Sequence, residues 1–238
     1  VTNGSGLTFR FAPFSSPPKP ATSHALTVSA NAMKRQTTGE IIKFLKDNVE
    51  PLADNAYGPG YRASVYLTDN TYLPCVIFRN PKTIIELAVR RFDEERKGKS
   101  IFAKGSGLGY TDIVKTFVTK GNCVNDYDII RVEKSKYVLP TEIASQIEGE
   151  TTMGWTGFAA KMKDGKYFSF GTSFHFEFFD MPDNYSPADI IEIINHSYTT
   201  TNGELRHHKV PFFDNPVDYD STIIYRERPF FECFIDNL

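Results

Sequence analysis

The chain reads as an α+β protein, an antiparallel, hairpin-rich sheet with helices packed on it. Three observations predict this. Strand-like runs are paired around two-residue turn signals at Asp69-Asn70 and Asp164-Gly165, with another at Asn202-Gly203. Tight turns join antiparallel neighbours, whereas parallel strands need long crossovers. Helical periodicity is confined to separate stretches, so the repeated strand–helix alternation of a parallel sheet is missing. Aromatic residues make up 14% of the chain, with 20 Phe and 12 Tyr, enough large rings to fill a layer between sheet and helices.

Taken in order, Thr37-Thr38-Gly39-Glu40 has capping-box spacing, and Ile41, Leu45 and Val49 follow at helical intervals until Pro51. Residues 55–60 read as a loop, and 63–68 with 71–78 as a strand pair. Pro74 interrupts the second run and marks an edge position or a bulge. The most regular helix covers 81–97, with Asn80 as cap, Pro81 in the first turn and Gly98 as terminator. Ile84, Ile85, Ala88, Val89 and Phe92 form its expected buried face, opposite a charged, solvated one. A shorter helix is expected over 111–120, a strand over 127–133 and a short helix over 141–147.

The second half turns to sheet. Residues 155–162 and 166–170 flank Asp164-Gly165, a strong hairpin signal. Residues 173–179 read as a strand that buries Phe174, Phe176 and Phe178 and turns His175 and Glu177 to the opposite, polar face. Ser186-Pro187-Ala188-Asp189 opens a further expected helix carrying Ile190, Ile191, Ile193 and Ile194. A hairpin at Asn202-Gly203 and strands over 221–227 and 230–235 complete the order.

Residues 1–32 differ from the remainder. They contain Pro17, Pro18 and Pro20 among Ser, Thr and Ala, and the first acidic residue is Glu40. Such a segment buries too little to offset its ordering entropy and is expected to be a disordered leader or tail, with Met33 as a natural start. Its Ser-rich, acid-free composition also fits an organelle transit peptide. Phe9, Phe11 and Phe14 would suit a partner-binding arm. Residues 33–238 are expected to form a single α+β domain.

Composition excludes some classes. The 27 basic and 29 acidic residues are interspersed and sum to a net charge of −2. Nucleic-acid binders carry a basic excess or stripe, so nucleic acid ranks low among partners. No run approaches the ~18 consecutive apolar residues of a membrane span, so a soluble protein is expected. Cys75, Cys123 and Cys233 are odd in number and widely spaced, which favours a reducing compartment. The expected location is the cytoplasm, or an organelle if 1–32 is a transit peptide.

Two groups of residues carry chemistry. Lys104-Gly105-Ser106-Gly107-Leu108-Gly109-Tyr110-Thr111 precedes an expected helix. Lys104 would supply charge, Gly105, Gly107 and Gly109 close backbone approach, and Thr111 the start of a helix N-terminus that favours anions. The spacing matches neither the dinucleotide fingerprint nor the phosphate loop, and a flexible connection accounts for it equally well. His175 and Glu177 are acid–base candidates. His207 and His208 are too, although adjacent strand residues face opposite ways and at most one can join the first pair. Their bland reading is a solvated sheet face. Cys75 and Cys233, flanked by apolar residues, read as buried structural thiols. Trp155 has glycines near it at Gly154 and Gly157, suiting either close packing in the core or a ligand cleft. No cofactor or metal site is implied.

Two functions follow. The first is a non-enzymatic binding protein using an aromatic-rich sheet surface, since Tyr and Phe are enriched at interfaces. The alternative is an enzyme acting on a phosphate-bearing or other anionic small molecule held at 104–111. The sequence leaves open which is right. The partner is accordingly a protein or a small anionic ligand.

Overall fold

The computed structural model describes residues 34–53, 58–97, 121–173, 175–208 and 223–238. The expected tail and the helix over 111–120 lie outside these. In chain order the described elements begin with α1 (Thr38–Asn48), β1 (Pro51–Leu52), β2 (Gly60–Leu67), β3 (Tyr72–Arg79) and α2 (Pro81–Arg96). Next come β4 (Cys123–Val124), β5 (Ile129–Lys134), α3 (Thr141–Ala144), β6 (Thr156–Met162) and β7 (Tyr167–Thr172). The last are β8 (Ile190–Asn195), β9 (Ser197–Thr199), β10 (Leu205–His207), β11 (Ile224–Arg226) and β12 (Phe231–Phe234). The result is a mixed α and β protein, mostly sheet.

The capping box starts α1 as its sequence dictates. The Thr37 hydroxyl accepts from the Glu40 N–H at 3.2 Å, and Glu40 accepts from the Thr37 N–H at 2.7 Å. A cap of this kind is worth about 1 kcal/mol. The helix buries Ile41 and Leu45 against Ala63, Val65, Val76, Phe78 and Cys233 of the first sheet. That sheet runs β1-β2-β3-β12-β4, with β5 also paired to β2. The β2–β3 hairpin turns at Asp69-Asn70, where Asn70 has φ 69° and Asp69 accepts from the Thr71 N–H. Pro74 sits in an interior strand and is accommodated by a bulge. The register passes from Ala63↔Val76 to Val65↔Leu73, leaving one extra residue in β3.

The sheets are mixed, which corrects the purely antiparallel expectation. β12 lies parallel to both β3 and β4, and β11 lies parallel to β7. Turn signals report only on neighbours in sequence. β11 and β12 reach their partners from far along the chain, and no local signal sets that direction.

The second sheet runs β11-β7-β6-β8, with its central hairpin turning at Gly165, φ 86°. One face buries Phe158, Ala160, Met162 and Phe170 with Leu139, Ile143, Phe179, Ile190 and Ile193. On the other face the β9–β10 hairpin packs across Ser169, whose hydroxyl lies 2.8 Å from that of Thr199 and accepts from the Thr199 N–H at 2.7 Å.

Three local expectations are overturned. The helix expected after Ser186 is a single tight turn followed by β8. The Ser186–Asp189 box forms, but the β-branched isoleucines beyond it pair with β6 at Ala159↔Ile194 and Ala160↔Ile193. On α2 the buried face is Ile84, Leu87 and Ala88, whereas Ile85 and Val89 are 47% and 55% exposed. Apolar residues on two adjoining stripes leave periodicity unable to choose between them.

The strand expected over 173–179 is absent from its described residues. β7 ends at a turn in which the Thr172 hydroxyl donates to the His175 carbonyl at 2.8 Å and accepts from its N–H at 3.1 Å. Phe176 is consequently 38% exposed, while the adjacent Phe178 and Phe179 are both fully buried. Phe178 packs with Cys75 and Ile77 of the first sheet, and Phe179 joins the core of the second. Among the described residues no helix is long and apolar enough to cross a membrane.

Candidate functional site

Alternation along β2 points Ala63 and Val65 at α1 and sends Arg62 and Ser64 to the opposite face. That face is covered, so Arg62 is only 3% exposed. Its guanidinium donates from Nη2 to the Thr141 hydroxyl at a long 3.5 Å and lies 3.8 Å from the Glu50 carboxylate. Glu50 also accepts from the Thr141 N–H at 3.0 Å, fixing the start of α3 over the arginine. Arg62 Nε is buried with no hydrogen-bond partner among the described residues. Burial lowers the Arg62 pKa, and the charges of Glu50 and Glu177 oppose that shift.

Arg62 lines a surface cleft of about 370 Å³, within the size range of small-molecule sites. Thr141 and Ser145 line it with hydroxyls, and Leu52, Ala53 and Ala144 with apolar surface. The turn after β7 contributes His175, Phe176 and Glu177. His175 Nδ1 and Glu177 Oε2 are 3.1 Å apart but lack hydrogen-bond alignment, and both atoms are buried without a partner. The His175 ring meets Phe230 edge-on at 5.0 Å.

Phe176 also lines a second cleft, of about 300 Å³, together with Trp155, Glu150 and Thr172. The Trp155 ring is seated on two paired glycines. A Cβ at Gly171 would lie 2.1 Å from its Cζ2, and one at Gly157 would lie 3.0 Å from its Nε1. The Arg226 guanidinium stacks over the ring at 4.5 Å. The tryptophan is thus half-buried packing that also forms a cleft wall.

The structure brings His175 and Glu177 together. It does not add His207 or His208 to them: among the described residues no group of three or more His, Cys, Asp or Glu is placed to hold a metal ion. His207 is exposed at the end of β10. His208 is buried, its ring tilted against Tyr198 at 5.0 Å, and its backbone N–H donates to the His196 carbonyl. Lys104, Gly105, Gly107, Gly109 and Thr111 lie outside the described residues. Cys75 and Cys233 are buried, and burial pushes their thiols up to about 11 and about 12.

The large rings of the second sheet, Phe158 and Phe170, point inward. On the first, half-buried Tyr66 and exposed Tyr72 lie 4.8 Å apart, and Arg131 sits over Tyr66.

Sequence reasoning missed Arg62 and misplaced Phe176. The available signal is a lone arginine just ahead of the strand-like run 63–68, in phase with Ser64. A solvated strand face carries the same pattern, and only the distant segments at 141–145 and 175–177 convert it into a buried site. No protein-family model, curated protein or solved structure matches this chain.

Proposed function

We propose that the protein is a non-enzymatic binding protein that takes a small ligand with an acidic group into the Arg62 cleft, with Phe176 at the rim. One observation carries this reading. A nearly inaccessible guanidinium lines an open cleft, with one long hydrogen bond and a half-exposed glutamate as its partners among the described residues. A buried guanidinium is costly unless its donors are matched. A bidentate acceptor entering the cleft supplies that match in a strong geometry. Phe176, Leu52 and Ala53 offer the apolar contact that holds the rest of the ligand.

Thermal-shift measurements on the full chain against carboxylates, phosphates, amines and amino acids test the reading. The expected result is a raised Tm with at least one acid-bearing compound, lost in Arg62→Met. No shift with any compound overturns it.

The enzyme alternative draws on a separate observation, the His175–Glu177 contact within the same cleft. It predicts turnover of a bound anionic compound, visible as new NMR resonances and abolished in His175→Gln. Binding without turnover favours the binding protein.

A further inference from the structure

We propose that the ligand of the Arg62 cleft is a small zwitterion, an α-amino acid with an apolar side chain. Its carboxylate would meet Arg62 and Thr141, and its ammonium would meet Glu177. This rests on the binding reading above and adds the chemistry of the ligand.

Among the described residues the lining carries one guanidinium and one carboxylate, each with a buried atom lacking a hydrogen-bond partner: Nε of Arg62, a donor, and Oε2 of Glu177, an acceptor. A purely anionic ligand satisfies the donor but meets the negative charges of Glu177 and Glu50, both of which already act on Arg62. Phosphate, with more charge, meets more repulsion. A simple amine satisfies Glu177 but places a second cation beside a guanidinium that water hardly reaches. A zwitterion meets both groups with matched sign and adds no net charge to the cleft.

His175 stands beside the carboxylate, its Nδ1 being 3.1 Å from Glu177 Oε2. Leu52, Ala53, Ala144 and Phe176 supply an apolar wall, which sets the preference for an apolar side chain. The volume of about 370 Å³ admits a residue-sized ligand and excludes a long peptide from full burial.

Isothermal titration of the full chain tests this with three probes sharing one side chain: L-phenylalanine, 3-phenylpropionate and phenethylamine, with inorganic phosphate as a fourth. L-Phenylalanine is expected to bind at least tenfold more tightly than the acid, the amine or phosphate. Glu177→Gln, which removes the charge and keeps the side-chain shape, is expected to remove that advantage over the acid, the acid itself binding no more weakly once the repulsion is gone. Arg62→Met should abolish binding of both, its fold being checked by circular dichroism. If the acid or phosphate binds as tightly as the amino acid, the zwitterion assignment is overturned and the cleft remains a site for acids. If no probe binds, and the broader thermal-shift panel is also silent, both readings fall.

Discussion

Gly171 and the ring of Trp155 occupy adjoining space, so closely that a Cβ on Gly171 would lie 2.1 Å from Cζ2. No side-chain rotation relieves a contact made by the ring body and a β7 backbone position. Gly171→Ala is therefore expected to displace Trp155 and cost about 2 kcal/mol, the usual scale for overpacking. The chain has one Trp, so a red shift in its emission together with a lower urea midpoint checks this. Gly39, within α1, has open space where a methyl group would stand, with nothing within 4 Å, and no left-handed φ. Gly39→Ala should accordingly stabilise by about 0.5 kcal/mol.

A second expectation concerns the buried pair of Arg79 and Glu232, 3.5 Å apart and each almost inaccessible. The Arg79 guanidinium also donates to the Gly58 carbonyl at 2.6 Å. Glu232→Ala removes the carboxylate while the guanidinium stays buried, at a cost of about 3–5 kcal/mol. Replacing both residues, Arg79→Met with Glu232→Leu, should recover much of that loss. Urea unfolding of the single and double variants measures the coupling.

The thiols should separate by reactivity. Thiolate is the nucleophile, and burial holds Cys75 at about 11 and Cys233 at about 12. Cys123 is exposed. At pH 8, iodoacetamide is expected to label Cys123 in the native protein and all three in denaturant, as read by peptide mass spectrometry. Rapid native labelling of Cys75 or Cys233 would contradict the packing described.

His208 gives a pH dependence. Burial, aided by the charges of His196 and His207, lowers its pKa below 6.5. The unfolded chain therefore takes up the proton first as pH falls. The stability contributed by neutral His208 is complete above about pH 6.5 and is lost as pH falls from there toward the folded value. The stability difference between wild type and His208→Gln should shrink from pH 7.5 to pH 5.5. A difference constant across that range would rule out this contribution.

The hairpins were legible because their turns announce themselves. Asp69-Asn70 and Asp164-Gly165 carry backbone requirements that few other residues meet, and Asn70 and Gly165 do adopt positive φ. The α1 cap was legible for a similar reason, being a contact across three residues. What failed was non-local. The isoleucines 190, 191, 193 and 194 suit either a helix or a strand, and the open edge of β6 decided for strand. The directions of β11 and β12 depend on partners far back in the chain. At the site, strand periodicity puts His175 and Glu177 on one polar face, yet there is no strand, and the bend after β7 brings Nδ1 and Oε2 within 3.1 Å. Arg62 went unnoticed because burial of its guanidinium comes from segments about 80 and 115 residues further on.

Phe178 and Phe179 are successive residues lodged in different cores, one against Cys75 and Ile77, the other against Phe158 and Phe170. A short piece of backbone thus works as a rivet through both layers. Peeling either sheet away bares a ring on the rivet and loosens the grip on the other, so the two should melt as one event. The same rivet begins one residue after Glu177, so the cleft's wall is anchored where both cores meet, with Phe176 on its solvent side.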